Sequence, residues 1–320
     1  MSAVASAATV AATSAPRAVR PGWLWLSLPI TVLAFAGSLA GILVGDIYAE
    51  ETADWAGQAV GQDIANLFLY PLLLGLAYLA ARGSLRAYLA WTGLLAYSAY
   101  TYAIYAFAIH FGPLFLLYVA VLGLSVYALI GSLTSIDAER VKSSFAAATP
   151  VKQTAWVING LVVVFLTLWL STDIPATVRN APSEELGDSG LLTNPVHVLD
   201  LSLFLPAMAL AGTLLFRRRA LGFVLAPVVL VAGIGIAVGV VSLSVVLSLR
   251  GQSSLAIAVF MALLALGELL VLYRLLRHLD DDLAPETGTL RGLKRRAEQP
   301  GRRPAATEAP ATPKRKEASQ

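Results

Sequence analysis

The chain has 320 residues, of which 57% are hydrophobic and 13% charged, and its formal net charge is +3. Soluble domains are near half apolar and a quarter charged, so this composition excludes an ordinary water-soluble protein. The absence of cysteine also excludes disulfides, thiolate zinc sites, Cys-ligated iron–sulfur clusters and covalent c-type haem within this chain.

Eight apolar runs follow one another along the chain, and a helix needs roughly 20 apolar residues to cross the hydrocarbon layer. We therefore predict an all-α polytopic transmembrane helix bundle with eight spans. The third and fourth runs are separated at Gly112-Pro113, which breaks a helix. The predicted limits are 24–45, 66–82, 87–109, 112–134, 155–173, 198–216, 221–249 and 254–276.

The first run follows Arg17 and Arg20 and contains small residues, as a cleaved signal peptide also would. It stays apolar to Val44, longer than the roughly 7–15 residues of a typical secretory core, so we interpret it as an uncleaved helix. Segments 1–22 and 279–320 have no pattern that would bury a face, and we predict that they are disordered. Residues 23–278 form the predicted transmembrane domain.

Positive charges alternate between loops, being frequent in one set and nearly absent from the other, where acidic residues accumulate. Short cytoplasmic loops retain Lys and Arg, so the basic set is predicted to be cytoplasmic. Both termini then lie inside, which requires an even number of spans. We predict a multi-pass protein of the bacterial inner (plasma) membrane.

From Arg291 onward the tail contains nine basic residues and three glutamates. A polybasic segment beside a membrane gains roughly 1 kcal/mol per Lys or Arg from anionic lipid. The predicted partners are therefore the bilayer itself and, through the tail, anionic lipid headgroups. The alternative is a solvated tail that only sets orientation, and nucleic acid is the less favoured partner.

Two segments share an order of features, because Asp63 through Pro71 parallels Asp200 through Pro206, each with Leu-Phe-Leu between them. Arg82 and Arg219 each lie 19 residues beyond their aspartate. This similarity predicts two parallel four-helix halves, 24–134 and 155–276. The alternative is a chance likeness among Leu-rich helices.

Glycines recur at four-residue intervals in two spans, where small residues let helices approach closely. We predict that they pack helices within one subunit rather than form a dimer seam. They are Gly37, Gly41 and Gly45 in the first span, and Gly235 and Gly239 in the seventh.

Polar residues predicted inside the bilayer often mark a functional pathway, because burying them without a partner is costly. Glu268 lies near the middle of the last span and is expected to be either protonated or paired. Asn159 in the fifth span is a candidate hydrogen-bond partner. Glu268 has either a structural role or a role linked to protons or cations.

A second polar group is predicted at the outer ends of the spans: Asp63, His110, His197 and Asp200. Two imidazoles with carboxylates could bind a metal, and two histidines could ligate a haem. No motif specifies either, so no cofactor is predicted. The alternative is that each residue is an ordinary interfacial group, since Asn194-Pro195 before His197 predicts a helix start.

Tyrosines are concentrated in the third and fourth spans. In the third, Tyr97, Tyr100, Tyr102 and Tyr105 spread over about 200° of a helix and therefore form no single stripe. A packed polar seam between helices is the favoured interpretation, and a ligand cage is the alternative.

The stretch from Arg82-Gly83-Ser84-Leu85-Arg86 through Tyr100-Thr101-Tyr102 to Tyr118 resembles a group of bacterial multi-pass membrane proteins with eight spans. The resemblance extends to Asn194-Pro195-Val196-His197 and to the basic turn at 217–219. It implies architecture and transfers no activity and no site.

Three functions follow as hypotheses, and no catalytic motif points to an enzyme. The first is binding or transport of a small solute, with Glu268 as the coupling carboxyl. The second is a membrane oxidoreductase or metalloenzyme that uses His110 and His197. The third is a noncatalytic assembly or signalling component reached through the basic tail.

Overall fold

A computed structural model of the protein describes residues 21–252 and 255–281, which form helices and turns without a strand. A 3₁₀ turn at Pro21–Leu26 leads into the first helix. The helices are α1 (Ser27–Leu43), α2 (Ala53–Ala81), α3 (Leu85–Ala108), α4 (Phe115–Ser135), α5 (Ala138–Ser143), α6 (Val151–Arg179), α7 (Glu184–Ser189), α8 (Pro195–Leu199), α9 (Leu205–Phe216), α10 (Ala220–Leu249) and α11 (Ala256–Leu276). A π-helical turn, Asp200–Phe204, joins α8 to α9 in one continuous rod.

Seven helical segments of the described chain are long and apolar enough to cross a membrane, which confirms the all-helical, membrane-type architecture. They are Gly22–Leu43, Ala53–Ala81, Phe115–Ser135, Val151–Arg179, Pro195–Phe216, Ala220–Leu249 and Ala256–Leu276. The remaining long helix, α3, has 24 residues, but its five tyrosines lower its hydropathy. The count of eight spans is therefore not confirmed by apolarity alone.

The long helices start and end close to their predicted limits, with one large difference. Helix α2 begins at Ala53, not at the predicted residue 66. Thr52 caps it by accepting a hydrogen bond from the Trp55 N–H, and its first turns include Gln58, Gln62 and Asp63. Because these polar side chains occupy the start of the helix, hydropathy did not reveal it. Asp63 consequently lies inside α2 rather than before it.

The predicted disordered segments lie mostly outside the described residues, at 1–20 and 282–320. The described ends are structured. Leu279 is only 2% exposed, and the Asp281 carboxylate accepts hydrogen bonds from Ser84 Oγ at 3.0 Å and from the Arg86 N–H at 2.8 Å. The beginning of the predicted tail is thus bound to the turn between α2 and α3.

Helices α1 to α4 form one group, in which each helix packs on the next and α4 returns to α1. Helices α6, α9, α10 and α11 form a second group with the same cyclic order. The two groups meet mainly where α10 packs on α2 and α3. Helix α3 is therefore enclosed by α2, α4 and α10, and its Trp91, Tyr88, Tyr97 and Tyr102 are among the largest fully buried side chains.

The turns 82–84 and 217–219 have the same backbone hydrogen bonds. In each, the first N–H donates to the carbonyl four residues earlier, the second to the carbonyl three earlier and the third to the carbonyl five earlier. The middle residues, Gly83 and Arg218, both have positive φ, at 102° and 53°. The same three hydrogen bonds occur at 250–252, where Gly251 has φ 73°, so this is a recurrent helix-ending turn. The equivalence of Arg82 and Arg219 stays a prediction.

Candidate functional site

Asp63 is the centre of a buried polar cluster at the end of the first helix group. Its side chain is on α2, the residue is 2% exposed, and its two oxygens accept hydrogen bonds from the Tyr48 hydroxyl at 2.6 Å and the Tyr105 hydroxyl at 2.8 Å. Gly41 of α1 makes room for this arrangement, since a Cβ there would collide with the Asp63 carboxylate. Burial, together with the adjacent Asp63 carboxyl, raises the pKa of Tyr48 above its ordinary value.

An amide cluster continues from Asp63 along α2. The Gln62 amide donates to Tyr97 Oη at 2.7 Å and to Asn66 Oδ1 at 3.2 Å, and the Tyr97 hydroxyl donates to the same Asn66 oxygen at 2.7 Å. Asn66 in turn donates to Ser38 Oγ at 3.1 Å. These contacts join α1, α2 and α3 by side-chain hydrogen bonds inside the first helix group.

Asp200 is a second buried carboxyl, placed in the π-helical turn before α9. It is 7% exposed, and its oxygens accept hydrogen bonds from Tyr100 Oη at 3.0 Å and from Trp169 Nε1 at 2.8 Å. A π turn interrupts the regular ladder of an α-helix and is frequent at functional sites. Asp200 thereby connects α6 of the second group with α3 of the first.

His197 lies beside Asp200 on α8 and is 6% exposed. Its Nδ1 is 2.9 Å from Asp173 Oδ1, and its ring stacks on Trp169 with 4.2 Å between ring centroids. Within the described part of the chain, its Nε2 is buried without a hydrogen-bond partner. Asn194 caps α8 and Pro195 occupies its first turn, which confirms the predicted helix start.

His110 has a different partner. Glu51 accepts hydrogen bonds from the His110 backbone N–H at 2.7 Å and is 3.0 Å from His110 Nδ1, and 59% of the His110 side chain is exposed. Of the four residues of the predicted outer group, His197 and Asp200 share a neighbour, Trp169, whereas Asp63 and His110 have separate partners. In the ranges that the structure describes, no group of three or more His, Asp or Glu side chains could hold a metal.

Glu268 is 4% exposed and packs against α10, where its Oε1 would be 2.8 Å from a Cβ on Gly233. Its Oε2 has no hydrogen-bond partner among the described residues. Asn159 does not pair with it, because the Asn159 amide donates to the Ala155 carbonyl of its own helix at 2.9 Å and faces Gly212 of α9. The two predicted intramembrane polar residues thus belong to different helix contacts.

Four of the five predicted packing glycines lie at close contacts. A Cβ on Gly37 would be 2.8 Å from Leu117 of α4, one on Gly235 would be 2.9 Å from the Tyr97 ring, and one on Gly239 would be 2.5 Å from Gln62 Oε1. Gly41 accommodates Asp63 as described above. Gly45 lies beyond α1 with nothing within 4 Å of its Cβ position, so it contributes no packing.

A cavity of about 90 Å³ lies where the two helix groups meet, between α2, α3, α8 and α10. Such a volume holds several waters or a small organic molecule. Most of the wall is apolar, with Ile236, Val240 and Leu243 contributed by α10. Its aromatic and polar wall residues are Trp55, Gln58, Gln62, Tyr100, Thr101 and Tyr105.

The cavity touches both buried carboxyl clusters through one helix. Tyr105 lines it and donates to Asp63, whereas Tyr100 lines it and donates to Asp200. Sequence reasoning identified both aspartates and both tyrosines but did not pair them, and it missed Tyr48, Trp169 and Asp173. The spread of tyrosines around α3 was the available signal, because hydroxyls on several faces require partners on several sides.

Comparison with protein-family models, curated proteins and solved structures gives no match for this chain. Its site must therefore be interpreted from its own residues.

Proposed function

We propose that this integral membrane protein binds or transports a small solute in the cavity between its two helix groups. One observation carries the proposal: the cavity wall includes Tyr100 and Tyr105, each hydrogen-bonded to a different buried aspartate. A largely apolar pocket with a few convergent polar groups is the usual form of a small-molecule site. Intramembrane carboxyls beside it are typical of solute or ion pathways.

The location between two helix groups also supports transport, because many carriers bind their substrate between structural repeats. We propose that the two groups are parallel repeats and that α3 is the eighth span. The matching cyclic packing of the two groups supports this proposal. The α3 tyrosines are compatible with a span because neighbouring helices, rather than lipid, surround much of that helix.

We further propose that the protein is in the bacterial plasma membrane with both termini in the cytoplasm, as the charge distribution predicts. Since the chain has no cysteine, single cysteines can be labelled without background. In intact cells, a membrane-impermeant thiol reagent should label Asp46→Cys and spare Ser143→Cys until the membrane is opened. Labelling of Ser143→Cys in intact cells would contradict the proposed orientation.

The solute proposal is tested by filling the cavity. Val240 of α10 lines it, whereas Val245 of the same helix is 36% exposed and does not. In liposomes containing purified protein, a panel of small neutral, anionic and cationic solutes should include at least one that crosses. Val240→Phe should abolish that flux and Val245→Phe should retain it. Absence of flux and of binding for the whole panel, or full flux in Val240→Phe, would overturn the proposal.

Neither alternative function is favoured by a specific contact. The metalloenzyme hypothesis needs His110 and His197 at one site, and they contact Glu51 and Asp173 instead. The assembly or signalling hypothesis depends on the basic tail, which lies outside the described residues. Glu268 contacts α10 away from the cavity wall, so we assign it no part in binding.

A further inference from the structure

We propose that the solute of the cavity between the two helix groups is a small monovalent organic cation, an amine or a quaternary ammonium ion. This inference rests on the proposed function and adds the chemical class of the solute. It is carried by the charge balance around the cavity and by the aromatic side chains of its wall.

The charge balance begins with Asp63 and Asp200. Both oxygens of each carboxyl accept hydrogen bonds, and these four donors favour the ionised form against the cost of burial. Over the described ranges, no Lys or Arg lies within 4.0 Å of either group. Neither aspartate lines the cavity, and each is connected to it by a tyrosine. A positive charge in the cavity would act together with the hydrogen-bond donors to favour the ionised carboxylates.

Among the residues that the structure describes, no Lys or Arg lines the cavity. Arg250, at the end of α10, lies against Gly57 and is not part of the wall. An anion in the cavity would therefore have no described basic side chain in the wall to bind it. A neutral solute would have no electrostatic advantage at this position.

The aromatic wall favours an organic cation over a bare metal ion. Trp55, Tyr100 and Tyr105 line the cavity, and the Trp55 ring is held by a 2.7 Å hydrogen bond from its Nε1 to the Ala108 carbonyl. Ring faces attract ammonium groups, and quaternary ammonium ions are recognised by aromatic cages. A hard metal cation instead requires several oxygen ligands, and both carboxylates are behind tyrosine hydroxyls.

The apolar part of the wall favours a solute whose charged group carries carbon substituents. Ile236, Val240 and Leu243 offer contacts for methyl or methylene groups and no hydrogen-bonding side chain. An alkylated ammonium matches such a wall better than a strongly hydrated ammonium ion, because its carbon groups are stabilised by leaving water.

The test compares three solutes of nearly the same shape on the full-length protein in detergent: choline, its neutral analogue 3,3-dimethylbutan-1-ol, and the anion 3,3-dimethylbutanoate. Calorimetry or ligand-dependent thermal stabilisation gives the affinities, and tetramethylammonium serves as a smaller cation. We expect both cations to bind at least about tenfold more tightly than the neutral analogue. The anion should bind more weakly than either class.

Charge-removing variants assign the effect to the two aspartates. Asp63→Asn and Asp200→Asn should each reduce the cation-over-neutral ratio by about tenfold, whereas Asp46→Asn, which changes an exposed acid, should preserve it. If either buried variant does not fold, the wild-type affinity ratio remains decisive because it needs no substitution.

Equal or tighter binding of the neutral analogue would overturn the cation inference and leave the solute proposal standing. Binding of none of these probes, with flux of another solute blocked by Val240→Phe, would also overturn only the cation inference. If no solute of the panel crosses the membrane and no probe binds, the solute proposal itself is overturned.

Discussion

Tyr100 and Tyr105 are five residues apart on α3, and they donate hydrogen bonds in different directions, Tyr100 to Asp200 and Tyr105 to Asp63. Five residues correspond to about 140° around a helix, so tyrosines on two faces of one helix can donate hydrogen bonds to carboxyls on different neighbouring helices. This relationship explains why the α3 tyrosines form no single stripe. It also makes α3 the element that joins the two helix groups around the cavity.

The tyrosine–aspartate bonds should contribute measurably to stability. Replacing Tyr105 or Tyr100 by Phe removes a hydrogen bond to a buried carboxyl, and we expect each change to lower the free energy of unfolding by about 2 kcal/mol. Tyr127→Phe is the control, because that side chain is 68% exposed. Reversible unfolding in detergent measures all three. Equal free energies of unfolding for Tyr105→Phe and Tyr127→Phe would show that the hydrogen bond to Asp63 does not contribute to stability.

Gly41 and Gly45 provide a matched pair in the same predicted glycine motif. In Gly41→Ala the new methyl group would displace the Asp63 carboxylate and lie 2.7 Å from the Tyr48 hydroxyl, so we expect a loss of about 2 kcal/mol or more. Gly45→Ala meets nothing within 4 Å and should change stability by less than about 0.5 kcal/mol. Thermal unfolding distinguishes them, and similar melting temperatures for the two variants would refute this packing role.

The two histidines should behave as independent residues. His197→Ala removes a buried ring stacked on Trp169 and bonded to Asp173, so a loss of about 3 kcal/mol is expected. His110→Ala removes a largely exposed side chain bonded to Glu51 and should cost about 1 kcal/mol. In the double variant the losses should add within about 0.5 kcal/mol. Strong non-additivity, or stoichiometric metal lost in both single variants, would instead indicate a shared site.

Glu268 should be dispensable for binding and unfavourable for stability. Its buried Oε2 has no hydrogen-bond partner in the part of the chain that the structure describes. Replacing it by Met removes this group at similar volume, and we expect the free energy of unfolding to rise by about 1–3 kcal/mol. Solute flux should be unchanged in Glu268→Met and in Glu268→Gln. Loss of flux in both variants, with the fold retained, would restore Glu268 as a coupling carboxyl.

Much of the fold could be predicted from local composition. Each of the eight apolar runs corresponds to a long helical segment of the structure, seven of which are apolar enough to cross a membrane. Gly112-Pro113 indicated the break between α3 and α4, which the structure places between Ala108 and Phe115. The first turns of α2 were missed because a helix can bury polar side chains such as Gln62 against another helix. Hydropathy alone cannot distinguish that case from a loop.

Side-chain partners could not be predicted in the same way. Asn159 and Glu268 were plausible partners as intramembrane polar residues, but they lie on different helix contacts. Asp63, His110, His197 and Asp200 were placed at one level by the order of the spans, and that order does not specify which helices are neighbours. Their actual partners, including Glu51, Asp173 and Trp169, depend on the packing of α2, α3, α6 and α8.

By itself, the sequence determined that this is a helical protein of membrane type, because apolar length and backbone hydrogen bonding leave few other solutions. It also identified Asp63, Asp200 and Glu268 as candidate site residues, but it did not predict that the two aspartates are buried. The tertiary structure alone decided that Tyr100 and Tyr105 connect Asp200 and Asp63 to one cavity. Helical periodicity determines the direction of a side chain, but only the packing of helices distant in the chain determines what it meets.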